Sequence, residues 1–195
     1  MRFDSIARFI KLMAGLAIFG IGLGAMVKAH IGIGPWDVFA QGISKLTNLS
    51  FGTATVMTSI LVLIAWLPLR QKYGLGTILN ALLIGVFTDL WSPLVPTFDL
   101  YWLQVLQFTL GMVIMAFATG MYISAHFGAG PRDGLMIGTS KALRKPIWMV
   151  RTGYEVIVLC LGWLMGGQVR EGTLIFALCI GVLMQASMRL FKYQK

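Results

Sequence analysis

The chain has 195 residues, of which 57% are hydrophobic and only 12% are charged, and its mean hydropathy is +0.81. A soluble domain carries roughly 25% charged residues and needs polar surface to face water, so this composition excludes an ordinary soluble domain and predicts one integral membrane domain over residues 1–195. The net charge of +9 comes with no soluble basic region that could hold a nucleic acid, so we expect it to set membrane topology and to meet lipid headgroups.

The first apolar segment covers residues 8–28 and begins beside Arg8. A basic start followed by an apolar run also describes a secretory signal peptide. A repeat, described below, aligns residues 12–28 with the internal residues 108–124, so we expect a retained transmembrane helix. In this segment Gly20 and Gly24, like their repeat counterparts Ala116 and Gly120, have the spacing of a small-residue seam, which predicts close helix packing at both seams.

The segment ends in the motif "AHIGIGPWD", residues 29–37. Glycines permit unusual backbone angles, and a proline fits the first turn of a new helix, where its missing N–H costs nothing. We therefore expect a helix break at Gly34 and a short helix that starts at Pro35. The Asp37 carboxylate then sits in the first turn, near free backbone amides and the positive end of the helix dipole, and His30 lies just before the break.

Two further apolar segments follow at residues 50–69 and 74–92, and a fourth covers residues 103–124. The motif then occurs a second time, as "AHFGAGPRD", residues 125–133. The last two apolar segments cover residues 149–167 and 172–190. Each of the six is about 20 residues long, enough to cross a hydrocarbon core of roughly 30 Å as a helix, so the predicted fold is an all-α membrane bundle.

One offset of 96 residues aligns the two motifs and most of the chain around them. It pairs Gly76-Thr77 with Gly172-Thr173 and the string "ALLIGV" with "ALCIGV". We predict two repeats, residues 8–97 and 103–193, an arrangement that recurs in transporters.

The distribution of Lys and Arg separates two topologies. Six spans with the amino terminus inside place 13 of these residues on the inner face and 3 on the outer face, whereas eight spans, in which the stretches after the motifs also cross, give 11 and 5. The positive-inside rule favours six spans with both termini in the cytoplasm. An odd number of spans in each half would invert the second repeat relative to the first and turn the two stretches after the motifs into short re-entrant helices.

Two interpretations of the acidic motif residues stay open. The Asp37 and Asp133 carboxylates can simply stabilise two helix starts, an effect of roughly 0.3–1 kcal/mol each. Alternatively they form a substrate or ion site, because irregular backbone within lipid is tolerated only where protein or a water-filled cavity covers it. Arg132, which stands where the first copy has Trp36, is either an ordinary inner-face charge or a contact for an anion. The candidate binding residues are His30, Gly34, Pro35, Asp37, His126, Gly130, Pro131, Arg132 and Asp133.

No sequence signature of catalysis is found. The chain has two histidines and two cysteines, none with metal-ligand spacing, and it has neither a G-x-S-x-G nor an HExxH motif. We therefore expect no enzymatic activity, no metal site and no cofactor. Cys160 and Cys179 lie in apolar runs and are expected to behave as small hydrophobic residues.

The paired strings "GIGPWDVFAQGIS" and "GAGPRDGLMIGTS", each followed by two apolar segments, resemble the YczE-like bacterial integral membrane proteins. The resemblance covers nearly the whole chain, and "GAGPRDGLM" is its most specific part. It implies a bacterial inner-membrane protein with several spans and says little about mechanism. A more distant similarity is to the YitT-type membrane proteins.

Inverted repeats with polar helix breaks favour a small secondary transporter or permease of unknown substrate, with the lipid bilayer, a small molecule or ion, and a second copy of the chain as expected partners. The alternative function is a membrane scaffold that stabilises another protein. A transporter should gather His30, Asp37, His126 and Asp133 around one wet cavity, whereas a scaffold should bury them in saturated hydrogen bonds.

Overall fold

The computed structural model describes residues 2–191, with side chains described from residue 5 onward. Met1 and residues 192–195 lie outside the described part, and with them the last two residues of the predicted second repeat and both chain ends of the topology prediction. The described chain is helical and without strands; its α-helices are α1 (Arg2–Lys28), α2 (Pro35–Thr47), α3 (Phe51–Leu69), α4 (Leu75–Trp91), α5 (Tyr101–Ile123), α6 (Pro131–Leu143), α7 (Ile147–Leu164) and α8 (Glu171–Leu190). A short 3-10 turn, Ser92–Leu94, follows α4.

Six of these helices, α1, α3, α4, α5, α7 and α8, are long and apolar enough to cross a membrane. They confirm the predicted all-α class and the six predicted segments. The helices α2 and α6 have 13 residues each, about 20 Å at 1.5 Å per residue, which is too short to cross a bilayer core. Both begin with the predicted proline after a glycine N-cap, Gly34 or Gly130.

The centre of the bundle is the pair α1 and α5, which run antiparallel. Gly15 of α1 contacts Tyr122 near the end of α5, and Met26 near the end of α1 contacts Gly111 of α5. The core around this pair includes Met26 and Phe108, both fully buried. We call the end of the bundle where α1 begins the proximal face and the end where α1 finishes the distal face.

The helix α4 packs beside α1, and α8 packs beside α5 in the same way. A β-carbon at Gly20 would lie 2.6 Å from the Phe87 β-carbon, and one at Gly120 would overlap Ser187, so both glycines are sites of close helix approach. At Gly24 the nearest atom would be 3.8 Å away, an ordinary contact distance. The predicted seam is therefore tight at Gly20 and Gly120, whereas an added β-carbon at Gly24 would make only ordinary contacts.

The helix pairs α3–α4 and α7–α8, which the 96-residue offset aligns, differ in packing. The helices α3 and α4 are in close contact: Gly52 and Gly85 meet backbone to backbone near the distal face, and Asp89 accepts hydrogen bonds from the Ser50 hydroxyl and from the Gly52 N–H (2.8 Å). In the described structure α7 and α8 make almost no contact with each other. Only 17% and 22% of the apolar windows of α7 and α8 are buried, against 39% for both α3 and α4. The bundle is thus closed between α3 and α4 and open between α7 and α8.

Candidate functional site

The two glycine-proline breaks have nearly identical backbones. His30 and His126 both have φ of 58°, a left-handed conformation, and Gly32 and Gly128 have φ of 120° and 122°. Left-handed angles are costly for most side chains and free for glycine. Each break therefore turns the chain back from the end of a long helix toward the middle of the bundle, where α2 and α6 begin.

The irregular backbone of each break is satisfied by the start of a transmembrane helix from the other half of the chain. The Ile31 carbonyl accepts a hydrogen bond from the Gly172 N–H (2.8 Å), and the Phe127 carbonyl accepts one from the Gly76 N–H (2.8 Å). The Thr77 hydroxyl donates to the Ala129 carbonyl (2.7 Å). Because buried backbone groups without partners are costly, these bonds explain how both breaks persist inside an apolar bundle.

A cavity of about 110 Å³ lies between the two breaks. The predicted residues Gly34, Pro35, Asp37, Gly130, Pro131, Arg132 and Asp133 all line it. It is large enough to hold water or a small ligand. Its remaining walls come from every transmembrane helix, with Arg151 and Glu155 of α7 adding two further charges.

The charges of the two motifs meet across this cavity. The Arg132 Nη2 lies 2.9 Å from the Asp37 Oδ1, and the Asp37 side chain is only 4% exposed, against 28% for Arg132. The Arg132 guanidinium also lies 5.6 Å from the centre of the Trp36 ring, within the range of a cation–π contact. Arg132 is therefore a structural partner of the first motif, a role that neither interpretation of this residue from the sequence included.

Asp133, the counterpart of Asp37, has a different environment. Within the described part of the chain its half-buried carboxylate makes no hydrogen bond and no ion pair. A β-carbon at Gly130 would lie 3.3 Å from the Asp133 Oδ2, 3.4 Å from the Tyr122 hydroxyl and 3.7 Å from the Asn80 Nδ2, so these three polar groups surround one point. A side chain at position 130 would partly fill that space, which gives Gly130 a direct role in shaping the cavity.

Two further features make the cavity polar. Arg151 and Glu155, one turn apart on α7, form the ion pair expected for an i, i+4 spacing, with 2.8 Å between Nε and Oε1. The Asn80 Nδ2 and the Trp36 Nε1 are buried and lack hydrogen-bond partners in the described structure. A buried donor without a partner costs about 1–3 kcal/mol, so both groups are candidates for contact with a bound ligand or water.

Neither acid caps its helix by a hydrogen bond. In the described structure the Asp37 carboxylate accepts from Arg132, and no backbone N–H donates to it or to the Asp133 carboxylate. Capping in the strict sense is therefore absent, and only the helix-dipole contribution of the first interpretation remains.

The histidines do not reach the cavity. The His30 and His126 side chains are exposed, near the distal and the proximal face respectively. The His30 carbonyl accepts hydrogen bonds from Gln168 (2.9 Å) and Arg170 (2.8 Å), and the His126 carbonyl accepts one from Arg8 (3.3 Å). His30 and His126 are therefore part of the turns that precede α2 and α6. Of the four residues expected around one cavity, the two acids line it and the two histidines lie outside it. In the described residues, no cluster of His, Cys, Asp or Glu could hold a metal ion.

The cavity residues that sequence reasoning missed include Asn80, Tyr122, Arg151 and Glu155. Asn80 could have been detected from the sequence, because it is a polar amide in the apolar string "LGTILNALLIG" of a predicted transmembrane helix. Tyr122 gave no such signal, since a tyrosine near a helix end is also typical of the membrane interface. The i, i+4 spacing of Arg151 and Glu155 indicates an ion pair, but the place of that pair on the cavity wall depends on tertiary packing.

Comparison with known proteins assigns the chain to a family. The family of unknown function DUF6198 matches residues 6–189. YczE, an uncharacterized membrane protein of Bacillus subtilis, is 32% identical over 176 residues, which cover 89% of this chain and 82% of YczE. The protein belongs to this YczE-like family.

Other YczE-like relatives agree with that assignment. An uncharacterized protein of Haemophilus influenzae is 37% identical over 84% of this chain and 75% of its own length. The uncharacterized protein YyaS of Bacillus subtilis is 27% identical over 82% of both chains. No solved structure gives a significant match to the chain. The resemblance expected from "GAGPRDGLM" is therefore confirmed, and none of these names assigns an activity.

Proposed function

We propose that this YczE-like protein is a small, non-enzymatic secondary transporter of the bacterial cytoplasmic membrane, built from two inverted repeats. The observation that carries the proposal is one polar cavity bounded by both helix breaks and joined by the Asp37–Arg132 ion pair. Broken helices of two repeats that meet at the middle of the membrane are a recurring arrangement for substrate and ion sites in transporters.

Matching contacts support the inverted repeat. The contact of Gly15 with Tyr122 becomes that of Gly111 with Met26 when each residue is replaced by its counterpart 96 positions away, and both contacts are present. The hydrogen bonds of Ile31 with Gly172 and of Phe127 with Gly76 are related in the same way. Because α1 and α5 are counterparts that run antiparallel, an axis in the membrane plane relates the two halves.

The difference between the two halves suggests how access to the cavity would alternate. Inverted repeats in two different conformations leave a central site open toward one side only, and an exchange of conformations opens the other side. Here the α3–α4 pair closes the distal face through Gly52, Gly85 and Asp89, while α7 and α8 are apart. We therefore propose that this conformer opens toward the proximal face.

The cavity lining agrees with proximal opening. Most lining residues occur as pairs related by the 96-residue offset. Four lack a lining counterpart, and all four lie in the proximal half of the bundle: Thr119, Tyr122, Met136 and Met184. The cavity thus extends from the symmetric centre in the proximal direction.

The orientation in the membrane is a prediction from charge. The 13-to-3 distribution of Lys and Arg places the proximal face and both termini in the cytoplasm. Reporter fusions at residue 97 are expected to show a periplasmic location, and fusions at residue 195 a cytoplasmic one. A cytoplasmic signal at residue 97 would contradict the inverted arrangement.

Cysteine cross-linking tests the alternation without knowledge of the substrate. In a background with Cys160 and Cys179 replaced by alanine, the pair Ser50→Cys and Asp89→Cys probes distal closure, and its repeat counterpart, Pro146→Cys and Gln185→Cys, probes proximal closure. We expect a short bifunctional thiol reagent to link the 50–89 pair rapidly and the 146–185 pair slowly, as the protein visits the opposite conformer.

The decisive result comes from combining the pairs. Once residues 50 and 89 are linked, residues 146 and 185 should become linked more slowly than in the unlinked protein, because the linked protein can close its proximal face only in an occluded state and cannot go on to the distally open conformer. If the 146–185 pair never links in native membranes, the alternation is refuted, and a scaffold with a static cavity becomes the better account.

A further inference from the structure

The cavity contains one carboxylate more than it can pair. Its five charged side chains are Asp37, Arg132, Asp133, Arg151 and Glu155. Arg132 lies 2.9 Å from Asp37, and Arg151 lies 2.8 Å from Glu155, so both guanidinium groups have partners. Asp133 is left without one, and with all five groups ionised the cavity carries a single negative charge.

This imbalance is a consequence of the repeat itself. The duplicated motif supplies two equivalent acids, Asp37 and Asp133, but only the second copy has an arginine beside its acid, since Trp36 occupies that place in the first copy. The single arginine reaches across the cavity to Asp37 rather than to its own neighbour. An uncompensated charge inside a membrane protein is costly, so the Asp133 carboxylate needs either a proton or a cation from outside the protein.

The surroundings of Asp133 suit an organic cation better than a metal ion. A metal ion would require several oxygen or nitrogen ligands, and the described residues form no metal-ligating cluster. The cavity wall instead carries the aromatic rings of Phe19, Trp36, Tyr122 and Phe176, of which Tyr122 lies beside Asp133. An ammonium group bound in such a cavity gains an ion pair with the carboxylate and can gain cation–π contacts with the wall.

A second, independent observation points to a ligand at the same place. Asn80 is 6% exposed, lines the cavity, and its Nδ2 has no partner in the described structure. This group and the Asp133 carboxylate lie within 4 Å of the same point beside Gly130. A small ligand that carries a cationic group and a hydrogen-bond acceptor, such as a hydroxyl oxygen, would neutralise the carboxylate with the first and accept from the Asn80 Nδ2 with the second.

We propose that Asp133 binds a small organic ammonium ion as the cargo of the transporter, and that a proton occupies the same carboxylate when the cargo is absent. Cargo and proton then compete for one group, so that binding a cation releases a proton and exchange across the membrane is electroneutral. This inference rests on the proposed function for its transport step, whereas the binding step stands on the cavity alone.

The other charged and titratable side chains around Asp133 either have partners already or are neutral. Asp37 on α2 and Glu155 on α7 each already pair with an arginine, Arg132 and Arg151, so Asp133 is the carboxylate left for the cargo. Of the described residues on the cavity wall, the remaining titratable group beside Asp133 is the Tyr122 hydroxyl of α5, and a tyrosine hydroxyl is ordinarily neutral near pH 7. Among the described residues, α1, α3, α4 and α8 place no charged side chain on the cavity wall.

Proton release on ligand addition tests the proposal directly. Purified protein in weakly buffered detergent is mixed with choline chloride, a permanently charged probe, with its uncharged isostere 3,3-dimethyl-1-butanol, or with sodium chloride. We expect only choline to release protons, at most about one per chain, and its dissociation constant to fall as the pH rises, since fewer protons then compete.

Variants identify the group responsible. Asp133→Asn should abolish proton release and weaken choline binding at least about tenfold, with no remaining dependence on pH. Asp133→Glu keeps the charge and should keep proton release, which separates lost chemistry from lost folding. The matched control Asp99→Asn removes a carboxylate from the exposed loop before α5 and should behave as the natural protein.

Each contrary result has a distinct meaning. Equal binding of the uncharged isostere, or choline binding without proton release, would overturn the ammonium site. Absence of choline binding to the folded protein would overturn it as well. If choline does not bind but both faces can be cross-linked, the protein is still a transporter and carries another cargo. If choline binds but the proximal pair never links, the protein binds cations without alternating.

Discussion

Replacing Arg132 with glutamine is expected to lower the free energy of unfolding by about 3 kcal/mol, because it leaves the Asp37 carboxylate buried without its ion-pair partner. Breaking a buried ion pair is costly mainly through the charge that stays behind, and Asp37 is the more deeply buried partner. Thermal unfolding of the purified variant in detergent, compared with the natural protein, measures the loss.

Two further variants check the reason for that loss. The double variant Asp37→Asn, Arg132→Gln removes both charges and should regain most of the stability, because no charge then stays unpaired. Arg144→Gln removes an exposed arginine just after α6 and should leave the melting temperature unchanged. A single Arg132→Gln variant that melts like the natural protein at neutral pH would show that water in the cavity already solvates Asp37.

The long helices were predictable from the sequence because each depends on local composition. The segments predicted at 50–69 and 74–92 correspond to the helices Phe51–Leu69 and Leu75–Trp91, and their ends agree within one residue. The short helices α2 and α6 were predictable because a proline in the first turn fixes a helix start by its own geometry. Composition and backbone chemistry act within a few residues, so a single sequence suffices to detect them.

The site was only partly predictable, because its chemistry depends on contacts between distant residues. The sequence placed Arg132 beside Asp133, but in the fold its guanidinium bonds to Asp37, 95 positions earlier. Neighbours on a helix point in different directions, so adjacency in sequence does not predict pairing. The same reasoning explains Gly24: its spacing from Gly20 is that of a seam, yet only Gly20 directs its open side toward α4 at close range.

The histidines show that a residue which recurs in both motifs need not line the cavity. A residue present in both copies of a motif is required by something that both copies share, and here that is the left-handed turn before the break as well as the cavity. His30 and His126 belong to the turn, while Asp37 and Asp133 belong to the cavity. Recurrence of a motif thus indicates shared geometry, and only the fold separates residues that shape the backbone from residues that line a cavity.

Introducing leucine at Gly85 and at Gly181, positions related by the 96-residue offset, is expected to have opposite consequences. A β-carbon at Gly85 would overlap the Gly52 carbonyl oxygen and approach the Val56 side chain to 2.8 Å. The two backbones touch there, so Gly85→Leu should force α3 and α4 apart and cost about 1–3 kcal/mol or more. Loss of folded protein from membrane extracts and a lower melting temperature would measure this effect.

At Gly181 the same substitution meets open space, since no atom lies within 4 Å of an added β-carbon. Gly181→Leu should therefore fold and melt like the natural protein, with the small gain expected when glycine leaves a helix interior. If α7 and α8 must close on each other as α3 and α4 do here, the leucine occupies the space that closure needs, and residues 146 and 185 should no longer cross-link. A stable Gly181→Leu variant that still links this pair at the natural rate would show that closure, if it occurs, does not use the contact that Gly85 makes with Gly52.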